Sequence, residues 1–147
     1  MLRPSTTPPH IVTLVLLAGT GALSMNIFLP SLNAMAAYFE TDYALVQLSI
    51  SAYLGVIGVL QLVIGPLSDR YGRRPVMLWA LAIFTLSTLG CLFAESIEVF
   101  LFFRALQAAV AAGIVLSRAI VRDMVPANEA ASMIGYVTMG MSLVPMI

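Results

Sequence analysis

GPLSDRYGRR, Gly65 to Arg74, holds four charges in ten positions of a chain with fourteen charged side chains among 147 residues. Around it the sequence is oily. Hydrophobic residues make up 61% and charged residues 10%, with a mean hydropathy of +1.00, whereas soluble domains carry about 25% charged residues. Working outward from the quoted stretch, uncharged runs exceed the roughly 18 residues that mark a membrane span. The fold class is therefore an all-α polytopic membrane protein.

Reading between the charges gives segments at about 11–30, 45–67, 76–94 and 99–122, each close to 30 Å long at about 1.5 Å per residue. A fifth begins near 130 and is expected to be incomplete at 147, because MSLVPMI carries no polar flank. Arg3 ahead of an apolar run resembles a secretory signal, but no charge appears between His10 and Glu40, which is too long for a signal core and fits a retained helix. All seven basic residues are arginine. Arg3 precedes the first segment, Arg70, Arg73 and Arg74 lie between the second and third, and Arg118 and Arg122 mark the end of the fourth. The intervening connections, Glu40–Ala44 and Ala94–Glu98, contain only acids. The positive-inside rule then puts the N-terminus and the GPLSDRYGRR turn in the cytoplasm. Pro126 breaks the chain after the fourth segment, and Asn128 and Glu129 suit the start of the next.

Several function classes fall away on composition. A formal charge of zero and the lack of aromatic–basic interleaving argue against a nucleic-acid partner. The single histidine, His10, precedes the first span, so neither a metal cluster nor a Ser/His nucleophile pair is expected, and the chain does not read as an enzyme. Cys91 reads as packing. A small four-helix multidrug transporter would need an acid embedded in its first helix, which this sequence lacks.

Within the quoted stretch, Gly72 permits a positive φ in a tight turn of about eight residues, Gly65 allows close approach of a neighbour, and Pro75 suits the first turn of the following helix. Asp69 and Arg73, four apart, meet if the turn is helical, leaving Arg70 and Arg74 for lipid headgroups. A plain orientation signal needs arginines alone and leaves Asp69 and both glycines without a role. GPLSDRYGRRP resembles the signature loop of the major facilitator superfamily, G-x-L-x-D-R-x-G-R-R. MNIFLPSL (25–32), FFRALQAAVAAG (102–113) and SRAIVRD (117–123) are similar to the drug:proton antiporters of that superfamily, of the bicyclomycin/chloramphenicol-resistance type.

The resemblance implies twelve helices in two six-helix halves, each built of inverted three-helix repeats around a midplane site. The 147 residues would supply four complete helices and the start of a fifth, part of the N-terminal half, in a bacterial inner membrane. The resemblance also implies small-molecule substrates, dependence on C-terminal helices beyond Ile147, no bound cofactor, and a proton gradient as energy source. For the loop it implies a conformational latch: Asp69 accepting from Arg73 and from Arg118 or Arg122, with Asp123 taking the reciprocal pair. Alone, the chain is expected to insert and to transport nothing; a noncatalytic membrane-assembly or remnant protein is the rival reading.

Arg104 stands inside the fourth segment, where insertion costs about 2.5–3.5 kcal/mol near the centre. Arg104, Gln107, Ala111, Ile114, Arg118 and Arg122 recur at helical spacing on one face, with Phe102, Leu106, Ala109 and Val110 opposite, suited to lipid or to apolar packing. Arg104 either snorkels to the outer headgroups or lines a cavity, as its resemblance to the antiporters' R-x-x-Q motif implies, attracting polar or anionic groups. In relatives the MNIFLP segment usually begins M-D; here that position is Asn26, which cannot titrate but can hydrogen-bond to substrate or to Arg104. An acid elsewhere, a different coupling, or an impaired copy each fit this departure. Asn26 also reads simply as an interhelical hydrogen-bond donor. Small residues, namely Ala18 and Ala22, Gly55 and Gly58, and Ala108, Ala109, Ala112 and Gly113, are expected at close helix crossings.

Overall fold

The computed structural model describes residues 10–143, so Arg3 and positions 144–147 of the fifth segment lie outside the described residues. Within these residues seven α-helices follow in order: α1 (Ile11–Phe28), α2 (Leu32–Tyr38), α3 (Tyr43–Tyr71), α4 (Arg73–Leu92), α5 (Ile97–Gln107), α6 (Ala111–Met124) and α7 (Ala127–Leu143). Among the described residues there is no strand. Two short 3₁₀ turns join α1 to α2 and α5 to α6, which leaves four continuous helices long and apolar enough to cross a bilayer: Ile11–Tyr38, Tyr43–Tyr71, Arg73–Leu92 and Ile97–Met124. All-helical spans are what a bilayer demands, since no water is there to satisfy free backbone N–H and C=O groups.

The first span runs past the expected end near residue 30. Pro30 sits at the start of the Leu29–Ser31 turn, where its missing N–H does little harm, and the helix resumes beyond it. The real stop is at Phe39. Glu40 adopts φ 47°, Thr41 N–H donates to Ala36 O at 3.0 Å and Glu40 N–H to Ala37 O at 3.3 Å, the paired bonds of a Schellman cap. Asp42 then caps α3 by accepting from Ala44 N–H, and Ser96 caps α5 by accepting from Val99 N–H.

The expected eight-residue turn around Gly72 also contracts. Helix α3 continues to Tyr71 and α4 begins at Arg73, so a single residue, Gly72 at φ 93°, reverses the chain. A side chain is strongly disfavoured at that φ.

The fourth span, α5–α6, is the hub. Half of its apolar window is buried, against 17% for α3, and α1, α3 and α4 all pack on it, while α7 packs on α1 and α6. Two contacts draw α1 and α6 together: Ser117 Oγ donates to Leu14 O at 3.1 Å, and Gly113 lies directly against the carbonyl oxygen of Leu17. Ala18, Ala108 and Ala112 are buried at the crossings as expected. Among the described residues Gly55, Gly58 and Gly65 meet no neighbouring helix, since a Cβ at each would find nothing within 4 Å. Large apolar side chains such as Leu62, Trp79 and Phe93 point outward, inverting the soluble pattern as lipid contact requires.

Because a Cβ at position 113 would strike backbone that cannot yield, Gly113→Ala is expected to destabilise the full-length protein by about 1–3 kcal/mol. Gly58→Ala is expected to leave stability within error of wild type; thermal unfolding in detergent compares the two.

Candidate functional site

Two polar constellations stand out on this scaffold, one at the Gly72 end and one buried within the helices.

At the Gly72 end the organiser is Arg73, in the first turn of α4. Its guanidinium lies 2.8 Å from Asp69 Oδ1 in the last turns of α3, and its Nε donates to Asp123 Oδ2 at 3.2 Å near the end of α6. It also donates to Ser68 Oγ, whose hydroxyl donates to Gly65 O at 2.8 Å. One cation thus ties together the ends of three helices. Asp69 and Asp123 are well exposed, and Arg73 is partly covered.

This differs from the expected pairing. Arg118 and Arg122 form no ion pair among the described residues, and both are exposed. Asp123 shares Arg73 with Asp69, so the cluster is two acids on one base. Arg74 is exposed, and Arg70 lies over the Tyr71 ring at 5.5 Å. Ser68 was not anticipated, although it sits inside the quoted stretch.

The second constellation surrounds Arg104, only 4% exposed. One terminal nitrogen, Nη1, donates to Gln107 Oε1 at 2.6 Å and to Ser24 Oγ at 3.4 Å. Gln107 Nε2 in turn donates to Thr88 Oγ1 at 2.9 Å. The rings of Phe28 and Tyr53 each lie 4.3 Å from the guanidinium carbon, within range for cation–π attraction. The head group is therefore drawn inward among α1, α3, α4 and α5, and does not extend toward headgroups. It borders a cavity of about 610 Å³ between α1, α4 and α5 that Thr20, Ser24, Phe28, Thr88 and Gln107 also line.

Asn26 is not part of this arrangement. Its Nδ2 donates to Ala22 O at 2.8 Å on its own helix, and the residue is exposed. The expected polar face of the fourth segment also divides: Arg104 and Gln107 are buried and Arg118 and Arg122 exposed, while on the opposite side Val110 is buried in apolar packing against Gly21 and Phe102 is exposed. The exposed arginine pair lies toward the end of α6, where the span leaves the packed helices, and the 3₁₀ turn Ala108–Val110 adds a rotation of about 60° to the helix beyond it, three residues turning at 120° instead of 100°. Phe28 and Tyr53 carried no signal in the sequence. Thr20, Ser24 and Ser31 did, recurring at helical spacing on a largely apolar helix.

A carboxylate-bridged arginine at the turn between the second and third spans fits the signature loop, and the Major Facilitator Superfamily family model matches residues 14–147. The chain belongs to the major facilitator superfamily. Within it, this member is 37% identical over 133 residues to an uncharacterized MFS-type transporter, YdgK, of Bacillus subtilis (strain 168), covering 90% of the chain and 33% of the relative. It is 37% identical over 126 residues to a chloramphenicol resistance protein of Pseudomonas aeruginosa, covering 84% and 30%. It is also 33% identical over 138 residues to multidrug resistance protein D of Escherichia coli (strain K12), covering 93% and 35%. The chain spans about a third of the length of these curated relatives. Superfamily membership and four apolar spans make this a multi-pass membrane protein.

Exposed ion pairs each contribute about 0.2–1 kcal/mol and weaken with salt. A double-mutant cycle of Arg73→Gln with Asp123→Asn in the full-length protein is expected to give a coupling in that range at low salt and a smaller one in molar salt, read from thermal unfolding.

Proposed function

We propose that these residues belong to an efflux carrier for drugs or other small molecules, a partial N-terminal half of it, driven by proton antiport across a bacterial inner membrane. The observation that carries the reading is the Arg73 cluster. A single exposed cation joining the ends of α3, α4 and α6 holds one arrangement of those helices without locking it. Alternating access needs such contacts to break and re-form as the two halves rock. Relatives named for chloramphenicol and multidrug resistance support the substrate class.

In this reading Arg73, Asp69 and Asp123 are the latch, Gly72 shapes it, and Gly65 contributes through its carbonyl. Arg70, Arg74, Arg118 and Arg122 face cytoplasmic water and lipid headgroups and fix orientation. Arg104 and Gln107 line the substrate path. The proton gradient supplies energy, and the titrating acid lies elsewhere than helix α1, since Asn26 cannot ionise. The N-terminus is cytoplasmic.

Two measurements test this. Asp69→Asn in the full-length carrier is expected to lower drug efflux at least tenfold at unchanged membrane abundance; wild-type efflux from that variant removes the latch. A cysteine at position 70 is expected to resist an impermeant maleimide in intact cells and to react in inside-out vesicles, and the opposite pattern reverses the topology.

A further inference from the structure

A second cavity, of about 390 Å³, opens between α3 and α4, where Leu67, Tyr71, Trp79 and Ile83 are exposed. It shares no lining residue with the cavity beside Arg104. Its mouth is at the Gly72 end, beside Tyr71 and Pro75, and it runs to Leu60 on α3 and Ile83 on α4 over a floor that includes Ala109 and Ala112 of the fourth span. None of its lining residues is charged. The small floor residues keep the groove open, since a larger side chain at either alanine would fill it.

The depth of the groove fits a lipid chain better than a helix. Tyr71 and Leu60 stand eleven positions apart, about 16 Å along α3 at about 1.5 Å per residue, and both Leu60 and Ile83 lie near the middle of their helices. The hydrocarbon of one leaflet is about 15 Å deep, half of a core of about 30 Å. A further spanning helix packed here would need an apolar furrow through the full thickness, whereas an acyl chain of one leaflet needs half.

The mouth has the chemistry of a membrane interface. Tyr71 and Trp79 are 60% and 71% exposed, and such aromatic side chains concentrate where hydrocarbon meets headgroups. The Arg70 guanidinium lies over the Tyr71 ring at 5.5 Å, which sets a cation at the entrance. Arg74 is exposed one residue before Pro75, and neither Arg70 nor Arg74 forms an ion pair among the described residues. The whole Gly72 end is basic: Arg70, Arg73, Arg74, Arg118 and Arg122 stand there with three acids, Asp69, Asp123 and Glu129. Basic residues at a bilayer surface attract anionic lipid.

We infer that this groove holds one anionic phospholipid, its phosphate against Arg70 with Arg74 adding to the local potential, and one acyl chain laid between α3 and α4 toward Leu60 and Ile83. Bound there, the lipid braces α3 against α4 beside the single residue, Gly72, that joins them.

Native mass spectrometry of the purified full-length carrier, delipidated and titrated with dioleoyl phosphatidylglycerol or dioleoyl phosphatidylcholine, tests it, because the two lipids share their chains and differ in charge. The first phosphatidylglycerol is expected to bind at least fivefold more tightly than the first phosphatidylcholine. Arg70→Gln with Arg74→Gln is expected to abolish that preference, and Arg70→Lys with Arg74→Lys to keep it, since the attraction is to charge. Ile83→Trp, which fills the inner end of the groove, is expected to weaken both lipids at least fivefold; Leu67→Trp on the facing wall replaces it if the first variant unfolds in detergent. Glycerol 3-phosphate, a headgroup without chains, is expected not to displace the lipid. Equal affinity for the two lipids, a preference that survives loss of both arginine charges or disappears in the lysine pair, or displacement by glycerol 3-phosphate each overturns the inference. So does unchanged binding in a folded Ile83→Trp or Leu67→Trp, the result expected if other helices of the carrier cover the groove or if lipid coats the protein without a site. Binding is read without transport, so its failure and that of the efflux reading are separate results.

Discussion

A guanidinium among hydrocarbon has to be offset by whatever surrounds it, and much of the helix packing here can be traced to that need. Arg104 sits on the fourth span, and its partners come from other elements: Ser24 and Phe28 from α1, Tyr53 from α3, and Thr88 of α4 through Gln107. A span that must gather ligands for a charge from three directions has to be central. The fourth span is the most buried of the four. Small residues make that centrality possible. Gly113 lets the backbone of α1 approach at Leu17, and fully buried Ala108 and Ala112 keep the neighbouring helices close.

The Gly72 end answers to a different physics. Water reaches Asp69 and Asp123, so neither ion pair there is strong. The arrangement is specific all the same, because a guanidinium offers several donors in one plane and Arg73 uses them on α3 and α6 while standing on α4. Weak individual contacts with fixed geometry suit an element that must change state. The buried site is the opposite case, in which each unmade hydrogen bond carries a large penalty.

The two sites sit on the same helical rods and differ in what sets their strength. Solvent screening tunes the exposed cluster, whereas burial and aromatic faces set the inner one. Between them, α5–α6 carries Arg104 near one end and Asp123 near the other, so a shift of this span moves both together.

Periodicity and charge in the sequence were enough to determine a helical membrane protein, the order of its spans, the Asp69–Arg73 pair and the exceptional standing of Arg104, because hydrophobic run length and four-residue spacing are local properties. The one-residue reversal at Gly72, the continuation of the first span to Tyr38, and the sharing of Arg73 between Asp69 and Asp123 were decided by tertiary structure. So were the exclusion of Asn26 and the enclosure of Arg104 by Phe28 and Tyr53. Each depends on where one helix lies against another, and a 3₁₀ turn of three residues is enough to rotate a face that regular periodicity would have carried straight through.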